Sequence, residues 1–266
     1  MKIGIVSRSD MDEAVNLTEK ILKHLSEEEV FLAPEIAKVL GEEGTPVEEM
    51  DIDSLVTIGG DGTVLRNLQK LPEIPILGIN MGGRGFLADV NPEEATSVID
   101  KMINGELGLR ERERLSIKIS EGWNSIALNE GVVRSEEPSG IISFEVFMDG
   151  ELVEKIEGDG LIVSTPTGST AYALASGGPI LHPDVEAFLA VTLSTYRPRA
   201  FPLVFPMSSE LKVKLLEPNK KAYVTVDGQI TKELKGGDVI IFERSESSAK
   251  FYEWKGKFYE KIGEKL

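Results

Sequence analysis

Ser54-Leu-Val-Thr-Ile-Gly-Gly-Asp-Gly-Thr-Val-Leu-Arg-Asn-Leu-Gln-Lys-Leu71 is the stretch that decides the fold. Residues 54–58 are a β-rich apolar run. They end in Gly59-Gly60-Asp61-Gly62-Thr63, and Val64 to Leu71 reads as a helix closed by Pro72. A strand that passes through glycines straight into a helix is half of a βαβ unit. Outward from it the alternation continues. Lys2 to Ser7 is a strand. Residues 12–25 carry Ala14, Leu17, Ile21 and Leu25 at helical spacing, with Asp10 and Asp12 available as N-caps. Glu29 to Leu32 is a strand, Pro34 opens a helix to Leu40, Ile74 to Ile79 is apolar, and Pro92 to Asn104 is helical. Residues 1–105 are therefore expected to form a Rossmann-like α/β domain with a parallel sheet and right-handed crossovers.

Beyond residue 105 the texture is β. Arg110 to Arg114 is a charge cluster, expected as a solvated connector. Leu115 to Ile119 alternates, and Phe144 to Ile156 and Tyr223 to Leu234 each read as two strands around an Asp-Gly turn, Asp149-Gly150 and Asp227-Gly228. Residues 106–250 are expected as a β-rich, β-sandwich-like domain. The aromatic segment 251–266 is expected to pack back on the first domain.

Composition excludes several chemistries. Cysteine is absent, so there are no disulfides, thiolate metal sites or thiol nucleophiles, and two histidines rule out a three-histidine zinc site. With 45 acidic and 29 basic residues the net charge is -16, which offers no global field for nucleic acid or anionic lipid. No apolar run approaches the roughly 18 residues of a membrane span. After Met1-Lys2 the chain enters a strand with no secretory leader, so the expected compartment is the cytoplasm. An anionic substrate would need local cations, oriented amides or a metal ion.

Three segments carry chemistry. Gly59 to Thr63 falls at the carboxyl edge of a parallel sheet, where ligands bind, and its glycines let a phosphate approach the backbone. An ordinary tight turn with Thr63 as N-cap is the bland alternative. Asp61 favours function, since an acid among phosphate-cradling amides has a use if it handles a proton or a metal. Gly78-Ile-Asn-Met-Gly-Gly-Arg-Gly-Phe-Leu87 is a second glycine-rich strand exit, expected beside the first so that the two frame a polyanion. In Gly158-Asp-Gly-Leu-Ile-Val-Ser-Thr-Pro-Thr-Gly-Ser-Thr-Ala-Tyr172, a strand ends in small hydroxyl residues suited to a nucleotide's polar edges, followed by a short helix to Ser176.

Gly59-Gly-Asp-Gly-Thr63, Asn129-Glu130 and Asp159-Gly…Thr165-Pro-Thr-Gly-Ser-Thr-Ala-Tyr172 together resemble the signature set of the ATP-NAD kinases. The first motif is shared with 6-phosphofructokinases and lipid kinases; the third is far more specific. The three stand in the family's order, so the resemblance spans nearly the whole chain. It implies phosphorylation of the 2′-hydroxyl of the adenosine ribose of NAD, giving NADP, with ATP or polyphosphate as donor. Mg²⁺ would arrive with the nucleotide rather than in a protein cage, and the assembly would be a homodimer or homotetramer.

By the same resemblance Asp61 is the general base. Gly59, Gly60, Gly62 and Thr63 hold donor phosphates, and Arg66, one helical turn on, meets a phosphate or faces solvent. Asn129, Glu130, Asp159, Gln229 and the run Thr170, Ala171, Tyr172, Ala173, Leu174 and Ala175 line the dinucleotide site, with Tyr172 as a stacking face. One position departs: NAD-selective members often carry an arginine two residues before the aspartate of the third motif, where this chain has Glu157, which leaves its NAD-over-NADH preference open. Two alternatives from other classes are a non-catalytic dinucleotide-binding regulatory module, which has no use for a base at Asp61, and a lipid kinase sharing only the first motif.

Overall fold

The computed structural model describes residues 1–83, 85–120, 122–137, 140–196, 202–217, 220–254 and 258–265. In chain order the elements begin β1 (Lys2–Ser7), α1 (Asp12–His24), β2 (Glu29–Leu32), α2 (Pro34–Leu40), β3 (Ser54–Gly59), α3 (Asp61–Leu68), β4 (Ile76–Asn80), α4 (Ala95–Ile103) and β5 (Leu109–Arg112). Then come β6 (Leu115–Ile119), β7 (Asn124–Ala127), β8 (Glu130–Ser135), β9 (Ile142–Met148), β10 (Glu151–Gly158), β11 (Gly160–Ser164), α5 (Tyr172–Ala175) and β12 (Ala187–Leu193). The chain ends with β13 (Leu203–Pro206), β14 (Leu211–Leu215), β15 (Ala222–Val226), β16 (Ile230–Leu234), β17 (Val239–Arg244), β18 (Ala249–Tyr252) and α6 (Phe258–Lys265). Residue contacts divide the chain into two compact units, Met1–Glu111 with Ala249–Leu266, and Arg112–Ser248.

The first unit is built on a sheet of order β2-β1-β3-β4-β18-β5, in which the β1–β2, β1–β3, β3–β4 and β4–β18 pairs are parallel. All six residues of β3 are buried, as a parallel strand covered on both faces requires. Ala14, Leu17 and Ile21 of α1, Val64 and Leu68 of α3, and Val98, Ile99 and Met102 of α4 supply the apolar helix stripes. Helix α3 begins at Asp61, three residues before the apolar periodicity starts, because its first turn is polar. Neither Asp10 nor Asp12 caps α1: the cap is Met11, with no side-chain bond, and Asp10 instead takes both Nε and Nη2 of Arg8 at 3.0 and 2.7 Å.

The second unit holds two six-stranded sheets, β10-β9-β14-β17-β6-β7 and β13-β12-β11-β8-β15-β16. Side chains from both, among them Ile117, Phe144, Val213 and Phe242 from one and Val133, Leu161, Val163 and Val224 from the other, share one core, a β-sandwich. On the far face of the second sheet Val132, Ile162, Leu189 and Val191 pack under Ala173 of α5. The two Asp-Gly turns have the left-handed backbone that hairpin turns demand, with φ of 50° and 86° at Asp149 and Gly150 and 48° and 66° at Asp227 and Gly228.

The charged run at 110–114 is solvated only at its start: Arg110 and Glu111 are exposed, but the run ends in a buried arginine. Arg110 lies in β5 and pairs with Glu253 at 2.8 Å, and Arg114 is 1% exposed with Nη1 donating to Ser247 Oγ at 3.3 Å. An arginine stem packs like a hydrocarbon once its guanidinium finds partners, which a charge count alone does not reveal. Among the described residues no helix is long and apolar enough to cross a membrane.

Candidate active site

Asp61 is the first residue of α3, and Gly60 caps the helix without a side-chain bond. Its half-buried carboxylate reaches across to the chain that leaves β4. There Oδ2 accepts the Phe86 N–H at 2.6 Å, and Oδ1 accepts those of Leu87 and Ala88 at 3.0 and 3.3 Å. A carboxylate offers about four lone-pair sites, so three are filled and one on Oδ2 stays open. Gly85 makes this approach possible, since a Cβ there would lie 2.4 Å from Asp61 Oδ1. The second glycine-rich loop thus lies beside the first, where it was expected, but its amides at 86–88 are committed to Asp61 rather than to a polyanion. Arg84 of that loop falls outside the described residues.

The glycines of the first motif differ from one another. Gly59 is buried in β3, and a Cβ there would meet Thr63 Oγ1 at 2.4 Å, so packing against Thr63 by itself accounts for a glycine here. At Gly60 and Gly62 an added Cβ would meet nothing within 4 Å and φ is not positive, so no part of the chain requires glycine at either. Both line a cavity of about 590 Å³ at the carboxyl ends of β1 and β3, together with the cations Arg8, Arg66 and Lys70, the acids Asp10 and Glu35, and Ser9 and Thr63. Arg66 is exposed and has no hydrogen-bond or ion-pair partner among the described residues. Lys70 is tied to Glu48 at 3.0 Å. The first amides of a helix lack intrahelical acceptors, so open space, the Asp61 and Gly62 amides and the Arg66 guanidinium meet here, while Arg8 is paired with Asp10.

In the second unit Asn129 and Glu130 stand at the start of β8, 8% and 7% exposed. The buried carboxylate of Asp227 fixes them: Oδ2 accepts the Leu128 N–H at 2.8 Å, and Oδ1 those of Asn129 and Glu130 at 2.7 and 3.1 Å. From the other side the Thr165 N–H and Ser164 Oγ donate to Asn129 O at 2.9 and 3.2 Å, and Thr165 Oγ1 donates to Leu128 O at 2.6 Å. Held this way, Asn129 Oδ1 and Glu130 Oε2 are buried without a hydrogen-bond partner among the described residues. Orphaned buried polar atoms are rare enough to mark a place where a ligand completes the network. Burial, and secondarily the Asp227 charge, pushes the Glu130 carboxyl up to about 8, so near neutral pH it carries a proton and is a donor.

Asp159 and the 42%-exposed Tyr172 line a second cavity of about 290 Å³ with Arg134, Ser135, Leu193 and Ser194. Thr170, whose Oγ1 donates to Thr167 O at 3.2 Å, is half-buried, as are Ala171 and Leu174; Ala175 is exposed. Ala173 is fully buried in the apolar cluster under α5, so its methyl faces the core and not a ligand. Gln229 is exposed, and its Nε2 donates to Asp227 O at 3.3 Å. Glu157 sits in β10 opposite Ser143, and its carbonyl accepts the Tyr196 N–H at 2.7 Å.

Two family models match the chain: the ATP-NAD kinase N-terminal domain over residues 38–107 and the ATP-NAD kinase C-terminal domain over residues 128–254. The NAD kinase of Methanothermobacter thermautotrophicus is 41% identical, over all of this chain and 96% of its own length. The chain belongs to the ATP-NAD kinase family. It is accordingly a kinase, a transferase of phosphoryl groups. Two solved structures carry the likeness into three dimensions. An NAD kinase from Archaeoglobus fulgidus in complex with ATP is 33% identical, with a TM-score of 0.83 over 99% of this chain and 98% of that one. A yeast NADH kinase complexed with NADH, 24% identical, shares the fold with a TM-score of 0.91 over 99% of this chain and 86% of that one.

Within this ATP-NAD kinase the sequence did not disclose three features. Asp227 looked like a hairpin residue and is also the clamp on residues 128–130. The amides of 86–88, at the end of the second glycine-rich loop, hold Asp61. Arg8 carried no motif; its only signal was its place one residue past β1, at the carboxyl edge of a parallel sheet.

Proposed function

We propose that this kinase transfers the terminal phosphoryl group of ATP to the 2′-hydroxyl of the adenosine ribose of NAD, giving NADP, with Asp61 as the general base. Asp61 takes the hydroxyl proton through the open site on Oδ2. The ribose oxygen attacks the γ-phosphorus, the bond from phosphorus to the β–γ bridging oxygen breaks, and ADP leaves. The observation that carries this is the Asp61 carboxylate, pinned by three amides with one lone pair unfilled, between two glycines that front a cavity holding the exposed Arg66. Gly60, Gly62, Thr63 and Arg66, with Arg8 and Lys70 beside them, are suited to the donor phosphates, and inorganic polyphosphate presents the same chain of anions. Asn129, the protonated Glu130, Asp159, Tyr172 and Gln229 are suited to the dinucleotide.

A divalent cation is part of this reading as a component of the donor. Among the described residues no three acidic or histidine side chains are grouped to hold one, so its ligands would be chiefly phosphate oxygens. Its chemistry is to neutralise charge as the phosphoryl group moves.

The test is an assay of NADP formed from NAD, ATP and Mg²⁺, read with an NADP-specific dehydrogenase. Asp61→Asn lowers turnover roughly 10²–10⁴-fold. Because the asparagine amide also turns N–H groups towards the 86–88 amides, it costs about 1–3 kcal/mol of stability, which a melting curve measures separately. An Asp61→Asn variant with the wild-type rate would show that Asp61 is not the base.

A further inference from the structure

We propose that Lys261, in α6, is a positioning residue for phosphoryl transfer: its ammonium fixes the peptide units whose N–H groups hold the Asp61 carboxylate. The proposal rests on Asp61 being the base, as set out above.

Helix α6 packs on the loop after β4. The Phe258 ring lies 6.5 Å from that of Phe86, centroid to centroid. Lys261 Nζ donates to the carboxylate of Asp89 and stands 3.5 Å from the carbonyl oxygen of Phe86. The Lys261 and Asp89 side chains are only 12% and 23% exposed, so the pair is largely shielded from solvent screening. A trans peptide points its C=O and N–H to opposite sides. The unit joining Phe86 to Leu87 therefore turns its carbonyl towards the Lys261 ammonium and its N–H towards Asp61 Oδ1, 3.0 Å away. A cation at the oxygen end and an anion at the hydrogen end both favour that orientation of the peptide dipole.

Lys261 also grips Asp89, the residue after the last of the three amides, so one ammonium holds both ends of the segment 86–89. Without it the N–H groups lose their fixed aim, the carboxylate can turn about its side chain, and its open lone pair no longer points one way. Proton abstraction depends on such alignment, whereas the residues suited to NAD and to the donor phosphates are not touched.

The experiment uses the full chain and measures kcat, both KM values and Tm for Lys261→Met, Lys261→Arg, Asp61→Asn and the Asp61→Asn/Lys261→Met double variant. Lys261→Met is expected to lower kcat about tenfold with KM for NAD and ATP within about twofold, and Lys261→Arg to recover most of the loss. In the Asp61→Asn background Lys261→Met should cost nothing more, because no base remains to be aimed. A wild-type kcat in Lys261→Met, a loss seen only in KM or Tm, or a loss that multiplies undiminished onto that of Asp61→Asn overturns the proposal while leaving Asp61 as the base. A wild-type rate in Asp61→Asn overturns the base assignment and this proposal with it. If Lys261→Met does not fold, Lys261→Gln, which removes the charge but leaves a polar side chain, carries the same comparison.

Discussion

Two carboxylates, Asp61 and Asp227, are each spent on three backbone amides, and a third, Glu130, is left buried with an unpartnered oxygen. The contrast lies in their surroundings: Asp61 and Asp227 find donors, while Glu130 is buried without one for Oε2, and burial favours its neutral form. Glu130 makes a prediction with a defined sign. Its carboxyl sits at about 8 in the folded chain against an ordinary value of 4.5. Between those values the native state keeps a proton that the unfolded chain has released, so stability falls as pH rises through that window, by at most about 1.4 kcal/mol per pH unit. Glu130→Gln keeps the shape and cannot ionise, and should flatten this part of the curve. Urea melts of both proteins at pH 5, 6, 7 and 8 measure it; parallel curves would mean that Glu130 ionises normally in the fold.

At the scale of elements, the candidate residues of each unit are held where one loop clasps another. The 165–168 turn lies on the backbone of Asn129 so closely that a Cβ at Gly168 would stand 2.2 Å from Asn129 O. Backbone cannot yield as a flexible side chain can, so Gly168→Ala must push the turn off Leu128 and Asn129 and break the bonds from Ser164 and Thr165. The expected cost is about 1–3 kcal/mol. The kinetic consequence should be one-sided: KM for NAD rises and KM for ATP does not, because the donor residues belong to other elements. Steady-state titration with each substrate decides this, and a change confined to ATP would exchange the roles of the two sets.

For the whole molecule, charge governs what the reaction needs. An excess of acidic over basic residues that reaches -16 repels both a dinucleotide and a triphosphate, and the cavity cations Arg8, Arg66 and Lys70 offset this only locally. Activity is therefore expected to vanish in excess EDTA and to return with added Mg²⁺, while thiol reagents leave it unchanged because the chain has no cysteine. Full turnover in EDTA would overturn the requirement for a cation.

The sequence alone determined what short-range physics controls. Apolar runs feeding glycines and then helices fixed a parallel sheet, and Asp149-Gly150 and Asp227-Gly228 fixed two hairpins, because a positive φ and side-chain alternation are properties of a few adjacent residues. The order of three motifs was enough to reach the family. Only the tertiary structure decided what those motifs do to one another. Asp61 meets amides 25 to 27 residues away, Asp227 meets amides 97 to 99 residues away, and Lys261 meets Phe86 across 175. Arg114 looked solvated and is buried, and the loop after β4, read only as a neighbour of the first motif, gives its amides at 86–88 to Asp61. Each of these depends on which distant chain arrives beside the residue, and local periodicity carries no signal of that because the contact energy exists only once the sheet and sandwich have closed.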